Sequence, residues 1–424
     1  MSPSRAGPGA TMRAFSTSRS VRTGGNAVAV TGLRIGVVGG SIAGCAMAIA
    51  GARAGADVTV HERSDGELQD RGFGIVIPPP LHRELVAGGY LGADMPTTPV
   101  ATRVWLARAP GRRSARELAR QQAPVAPCNW GLLWRALRAN AGSGAYHRGR
   151  PVASVGHTAS GGAVIRTAAG EREYDLVVGA DGHRSVTREL VAPEVRPVPA
   201  GYLVWRGTIP AAALRDHPAQ LELLESSWVT LGFPGGHGVF YLIPGASTGS
   251  RLLAYAVYAS PPHAGTAPDA PVSAAYVRDI AEEHFPAEWA DIVARGEHTS
   301  QALHPVADFV VPRAAEPPFL LAGDAASVTR PHTASGAVKA LQDALCLERS
   351  LRASASAAEA LHRYADERSA EGARLVGLGR RLGRALVENA PDWPAMGPAE
   401  VAALSRAALD GDDSYLYGSV RRQR

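Results

Sequence analysis

Gly39, Gly40, Ser41 and Gly44 stand between an apolar run and a run of small residues, and Glu62 follows at close to the roughly 20-residue spacing of a ribose-binding acid. The chemistry open to such a set is phosphate binding. Glycine lets the backbone turn tightly and approach a pyrophosphate, and the start of a helix adds free N–H groups and a positive dipole end. Ile35–Val38 reads as a buried parallel strand, Ala43–Ala54 as a small-residue helix, and Val58–Val60 as a second strand ending at Glu62. Ser41 occupies the middle glycine position of G-x-G-x-x-G, where its hydroxyl is small enough to fit and able to donate to a phosphate. The bland alternative is a glycine-rich strand-to-helix turn without a ligand. The segment alone does not distinguish FAD from NAD.

Two later segments repeat the pattern of an apolar strand ending in an acid beside a glycine. Asp175–Ala180 runs into Asp181–Gly182 and a basic helix start at His183, Arg184, Ser185 and Arg188, and Phe319–Ala322 runs into Gly323–Asp324. In doubly wound sheets, ligands bind beyond the carboxyl ends of the strands, where an Asp can bond a ribityl hydroxyl. Pro331 then breaks the chain, and Gly336–Leu347 reads as a helix whose N-terminus can stabilise negative charge on a flavin pyrimidine.

The order of these three segments, with the GGSIAG turn, NWGLLWRAL at Asn129–Leu137, YLVWRG at Tyr202–Gly207 and the RPHTAS run, resembles class A FAD-dependent aromatic hydroxylases of the para-hydroxybenzoate hydroxylase fold. Within them the chain is most similar to the subgroup containing 2,6-dihydroxypyridine 3-monooxygenase, over residues 33–350. The resemblance implies that Gly39, Gly44 and Glu62 hold the ADP half of FAD, with Ser41 and Arg63 beside them. It implies that Asp181 lies near the flavin and the approach path of the nicotinamide, and that Asp324 bonds the ribityl chain. Gly336 and Ala337, behind Pro331, would offer backbone N–H groups to the flavin, and Arg71 would reach the pyrophosphate or the mobile flavin. Ser327, Val338 and Trp130 depart from the family's frequent histidine, asparagine and arginine.

The implied activity is an NAD(P)H- and O2-dependent monooxygenase. It would hydroxylate a hydroxylated aromatic or hydroxypyridine ring through a flavin C4a-hydroperoxide, plausibly in natural-product biosynthesis. An FAD-dependent epoxidase or other oxidase on the same fold is the alternative, and a flavin-binding protein without turnover a third reading. There is no second Rossmann unit for the nicotinamide, unlike in two-domain reductases. Trp205, Arg206, Phe233, His237, Tyr241, Tyr255 and His332 are expected to face the substrate. Tyr241 and Tyr255 could polarise a ring hydroxyl, Arg206 could pair with a substrate anion, and His332 is placed to act as a base with a pKa near neutral pH. The bland reading of each is packing, and His237, between glycines, reads as a solvated turn residue.

These elements imply an α/β fold: a Rossmann-like FAD-binding domain with an inserted, mainly antiparallel β-sheet substrate domain and a C-terminal helical segment. Residues 1–30 read as a disordered extension, with Met12 as an alternative start. Residues 31–100, 129–200 and 301–352 are assigned to the FAD-binding domain, 101–128 and 201–300 to the substrate domain, and 353–424 to C-terminal helices. The consecutive strand-like runs from Tyr202 to Ser260, without helices between them, are the reason for an antiparallel sheet. The 424 residues suffice for two substantial domains. Three cysteines without C-x-x-C spacing argue against a disulfide framework and for a reducing, cytoplasmic home. Thirteen scattered histidines give no metal cluster, so no metal is expected. A net charge of +5, with Lys339 the sole lysine, reflects basic termini and a GC-rich genome more than a partner. No nucleic-acid motif and no run of ~18 apolar residues is found, so the expected partners are a small aromatic substrate and O2, with self-association into a homo-oligomer left open.

Overall fold

Apolar runs buried on both faces demand helices on both sides of a parallel sheet. The computed structural model describes residues 32–68, 73–142, 146–261, 274–295 and 300–412; Arg71 and the 1–30 extension lie outside them. A six-stranded sheet runs in the order Ala315–Glu316, Phe319–Leu321, Leu176–Gly179, Arg34–Val38, Asp57–His61, Tyr146–His147. Every neighbouring pair in it is parallel except the first. The three strands read from sequence as ligand-bearing are therefore adjacent, with their carboxyl ends at one edge.

The helix Ile42–Arg53 is rich in alanine and glycine because it must lie close to neighbours; nine of its residues, from Ile42 to Gly51, are buried. Gly39 adopts φ 96°, and a β-carbon on Gly44 would sit 1.9 Å from the Gly39 carbonyl oxygen, so glycine alone permits this turn. The helix Gly336–Arg352 packs against it and runs further than its apolar pattern suggested.

The second sheet has nine strands: Ser327–Val328, Ser300–Val310, Val198–Pro210, Arg251–Ala259, Gly236–Pro244, Ser227–Phe233, Val100–Arg108, Ala115–Asn129 and Gly74–Ile77. All its pairings are antiparallel except that between Ser227–Phe233 and Val100–Arg108. Gly74–Ile77 and Ser300–Val310 join this sheet, although residues 31–100 and 301–352 are assigned from sequence to the FAD-binding domain. Short chain segments cross from one sheet to the other more often than the sequence showed. A small three-stranded sheet, Val152–His157, Ala163–Thr167 and Gly170–Tyr174, packs on the outer side of the parallel sheet through Ile165 and Tyr174.

The nine-stranded sheet buries both faces. One meets the helices Ala274–His284 and Ala287–Arg295 through Phe240, Phe285 and Trp289. The other meets the long helix Ala357–Gly383 and the segment after it through Leu378, Leu382, Leu386 and Trp393. That helix runs directly into a π-helical turn, Arg384–Glu388. A buried ionic cluster fastens it down: Asp308, fully buried, accepts from Arg330 Nε at 2.9 Å and Arg380 Nη2 at 2.6 Å, and Arg330 also pairs with Glu388. The overall arrangement is the α/β fold expected. Among the described residues no helix is long and apolar enough to cross a membrane, and no group of side chains could hold a metal ion.

Candidate functional site

The phosphate-type turn is built around unclaimed backbone donors. Ser41 is the N-cap of Ile42–Arg53 but makes no side-chain cap bond, which leaves the first-turn N–H groups open. Glu62, buried at the end of its strand, spans the turn: its Oε2 accepts from Gly40 N at 2.7 Å and its Oε1 from Ser64 N at 2.8 Å. Arg63 beside it is exposed. Two residues without a role in the sequence reading buttress the turn. Trp134 Nε1 and Tyr146 Oη both donate to the Gly40 carbonyl, each at 2.9 Å.

The other two strand ends close on the same edge. Asp181 Oδ2 accepts from Val186 N at 2.8 Å, while its Oδ1 is buried without a partner, and burial raises the carboxyl above its ordinary pKa. Arg188 ties this loop to the next by donating to His183 O at 2.6 Å and to Ala325 O at 3.4 Å. Gly323, at φ 57°, brings its turn to within a methyl of Ala43 in the first helix. Asp324 follows with its side chain half exposed, 3.1 Å from the buried Lys339 Nζ. Ser335 fails to cap Gly336–Arg352, because its hydroxyl donates to Thr333 O, and a β-carbon on Gly336 would meet nothing within 4 Å. Gly336 and Ala337 therefore present free N–H groups to open space, and the Pro331–Thr333 turn leads into them. Two uncapped helix starts, an orphaned buried carboxylate oxygen and a half-exposed Asp converge at one edge of the sheet. That donor set fits an FAD laid across it.

Facing this edge is one side of the nine-stranded sheet, and strand alternation decides which side chains it presents. Tyr202, Val204 and Arg206 share a face of their strand, and Tyr241 lies opposite Ala254. Arg206 is half-buried and close enough to bear on the ionisation of Tyr241 and His304. Burial raises the Tyr241 phenol above its usual pKa. Trp205, Phe233 and Tyr255, expected in the pocket, lie on the opposite face with Phe240 and Phe285. Trp205 Nε1 donates to Tyr255 Oη there at 2.9 Å. The reason is geometric: Trp205 and Arg206 are consecutive on a strand and cannot face the same way.

His237 also differs from its expectation. It is not a solvated turn residue; it lies in the strand Gly236–Pro244, 2% exposed, its ring stacked on Tyr258 at 4.7 Å. His332 completes the cluster, 4.4 Å from the Tyr258 ring and 5.2 Å from that of His237, and its Nε2 is 2.6 Å from Tyr202 Oη. Burial first, then His237 and Arg330, hold His332 well below the ordinary imidazole pKa, and burial and Arg103 bring His237 down to about 3. The near-neutral pKa expected for His332 does not hold in this setting. Tyr202 and Tyr258 were missed by sequence reading, though Tyr202 stands two and four residues before Val204 and Arg206 on the same face.

Two buried neutral imidazoles make folding pH-dependent. Unfolded, each takes a proton near pH 6.5, whereas folded they resist it to a lower pH. Their contribution is complete above about pH 6.5 and is lost as pH falls toward the folded-state values. Thermal melts between about pH 7.5 and about pH 5 should show Tm falling with acidification, and His237→Asn should flatten that slope. An unchanged slope in the variant would assign the acid sensitivity to other groups.

Similarities to one family, two relatives and one solved structure bear on this geometry. The model of a family described as FAD binding domain matches residues 129–378. A 2,6-dihydroxypyridine 3-monooxygenase of Paenarthrobacter nicotinovorans is 28% identical over 339 residues, 74% of this chain and 81% of that protein. A 3-amino-4-hydroxybenzoate 2-monooxygenase of Streptomyces cremeus is 30% identical over 377 residues, 85% of this chain and 89% of that protein. The solved structure of 2,6-dihydroxypyridine-3-hydroxylase from Arthrobacter nicotinovorans superposes with a TM-score of 0.74 at 24% identity, covering 87% of this chain and 97% of that one.

Proposed function

We propose, from the premise that the chain belongs to the FAD binding domain family and is a class A FAD-dependent aromatic hydroxylase, that it hydroxylates a ring bearing a hydroxyl group, of the hydroxybenzoate or hydroxypyridine class, held between the FAD edge and the Tyr202–Tyr241 face of the sheet. The enzyme is a monooxygenase that draws on NAD(P)H and O2. The observation that carries the substrate reading is the pairing of Tyr202 with His332 beside Tyr258, on the same side of the sheet as Tyr241 and Arg206. The names of the two relatives, which act on rings with a hydroxyl and a ring or exocyclic nitrogen, support it.

When bound, FAD would supply the electron transfer from NAD(P)H to O2 and the oxygen transfer to the ring. The chain's own residues hold and orient. Gly39, Ser41, Gly44, Glu62 and the nearby Arg63 would take the ADP end, and Asp324 the ribityl chain. Gly336 and Ala337 would take the flavin edge, with Pro331 covering it. Asp181 would line the side from which the nicotinamide arrives. Tyr241 and the Tyr202–His332 pair would receive the ring hydroxyl, and Arg206 would complement a substrate anion. With its low proton affinity, His332 acts as a hydrogen-bond acceptor that polarises the hydroxyl, and does not end as a stable imidazolium. Burying this face under the C-terminal helix excludes water from the reacting ring. The six-stranded sheet with its helices forms the cofactor body and the nine-stranded sheet the substrate body. We assign the enzyme to the cytoplasm, since Cys45, Cys128 and Cys346 are buried free thiols of the kind a reducing compartment maintains.

The purified protein should be yellow, and heat or acid should release FAD. Under air its NAD(P)H consumption should rise with hydroxybenzoates or hydroxypyridines. Release of FMN or of no flavin would refute the cofactor assignment. Indifference to every aromatic, with stimulation by an alkene, would point to an epoxidase.

A further inference from the structure

Lys339 is the single lysine among 44 Lys and Arg residues, and it is 2% exposed. It lies on the face of the helix Gly336–Arg352 formed by Gly336, Lys339, Ala340 and Asp343, which helical spacing brings into one stripe. That stripe meets the Gly323–Asp324 turn. Ala340 lies in van der Waals range of Gly323, and Asp343 accepts from Gly323 N at 2.8 Å. Above the stripe Gly336 opens on empty space. Lys339 Nζ stands 3.1 Å from Asp324 Oδ1, an ionic contact, yet among the described residues the ammonium makes no hydrogen bond. The other nearby acid is already engaged, since Asp343 Oδ1 accepts from Arg368 Nε at 2.6 Å.

A buried ammonium whose one charged partner among the described residues is a half-exposed acid is destabilising by itself. Such a group is retained where a ligand completes it. The compactness of an ammonium also suits a crowded helix face better than the broad guanidinium used for every other cation of the chain. We propose that Lys339 is a cofactor-anchoring residue: its ammonium reaches past Asp324 to an oxygen on the ribityl-phosphate arm of FAD, where it gains the hydrogen bonds it lacks. This rests on the FAD reading. Asp324 then serves two partners, fixing the lysine on one side and bonding the ribityl chain on the other.

The test uses FAD-free protein of the parent, Lys339→Met and Lys339→Gln, titrated with FAD by the quenching of flavin fluorescence and melted without FAD. Lys339→Met should weaken FAD binding roughly 10- to 100-fold, the scale of lost hydrogen bonds to a charged group. Lys339→Gln, which keeps a donor, should fall between it and the parent. The FAD-free Lys339→Met protein should melt at or above the parent, because the uncompensated charge is gone. FAD affinity equal to the parent's in Lys339→Met overturns the proposal. So does a melting point several degrees below the parent's, which marks a purely structural lysine. A parent that takes up no FAD overturns the functional reading and this proposal with it.

Discussion

Gly44→Ala should yield a protein that no longer retains FAD through purification. The added methyl would lie 1.9 Å from the Gly39 carbonyl oxygen and 2.8 Å from its carbon, both backbone atoms that cannot rotate aside. Gly39 is itself held at φ 96° and anchored by its N–H to the His61 carbonyl at 2.8 Å. The helix start must therefore move away from the turn, and the row of N–H groups aimed at the pyrophosphate loses its alignment. Losing two or more hydrogen bonds to a charged group weakens binding by at least about 100-fold. Gly51→Ala in the same helix is the comparator. Its methyl meets only side chains, Val58 at 2.9 Å and Ile35 at 3.2 Å, so it should lower Tm yet keep the flavin. If both variants copurify with FAD at parent occupancy, the pyrophosphate does not sit at this turn.

His332→Ala should separate flavin reduction from hydroxylation. His332 lies in the Pro331–Thr333 turn, away from the Gly39–Gly44 turn, and Ala337 and Gly336 keep their N–H groups whatever follows Pro331. FAD should stay bound and NAD(P)H should still be oxidised. The ring hydroxyl would lose the imidazole paired with Tyr202 at 2.6 Å, and with it the polarisation that makes the ring electron-rich. Loss of one hydrogen bond to a hydroxyl that gains charge slows the step by roughly 10- to 100-fold. Reducing equivalents should then leave as hydrogen peroxide. Tyr202→Phe, which keeps the ring and removes only the hydroxyl, should show a milder form of the same uncoupling. A parent-level ratio of product to NAD(P)H consumed in His332→Ala would end the assignment.

The strand-turn elements were legible in sequence because their signals are local. A strand, a glycine turn and an acid lie within a few residues of one another, so Gly39, Glu62, Asp181 and Asp324 stand at or just beyond the carboxyl ends of strands, as their spacing predicts. The parallel character of these strands followed from the same apolar runs, though not their order in the sheet. The substrate face was far less legible. Period-2 alternation tells that Tyr202, Val204 and Arg206 share a side, but not how sides of different strands match, so Trp205, Phe233 and Tyr255 were grouped with Tyr241 although they lie on the opposite face. Burial lowers His332 and His237, helped by charged and titratable groups from distant segments, Arg103 acting on His237 and His237 on His332, and no local pattern carries this. Lys339 was visible as a compositional oddity. Its burial and its single ionic contact among the described residues, Asp324 at 3.1 Å, are tertiary features that no local pattern carries.

The strand order of the nine-stranded sheet has a consequence for how this chain is made. Its members run from Gly74 to Val328, and strands of the other sheet interrupt them twice, after Ala115–Asn129 and after Ser300–Val310. Val198–Pro210 lies between Arg251–Ala259 and Ser300–Val310, so one of its edges is bare until the later strand has been synthesised. A ribosome-bound chain that ends before residue 300 therefore exposes a long hydrophobic strand edge of the kind that pairs with other chains. Pairings between strands so far apart in sequence favour slow folding. Neither body can be cut out as a contiguous fragment. Limited proteolysis should give all-or-none loss of structure, and circular permutants opened between residues 259 and 300 should fold with markedly different rates from the parent.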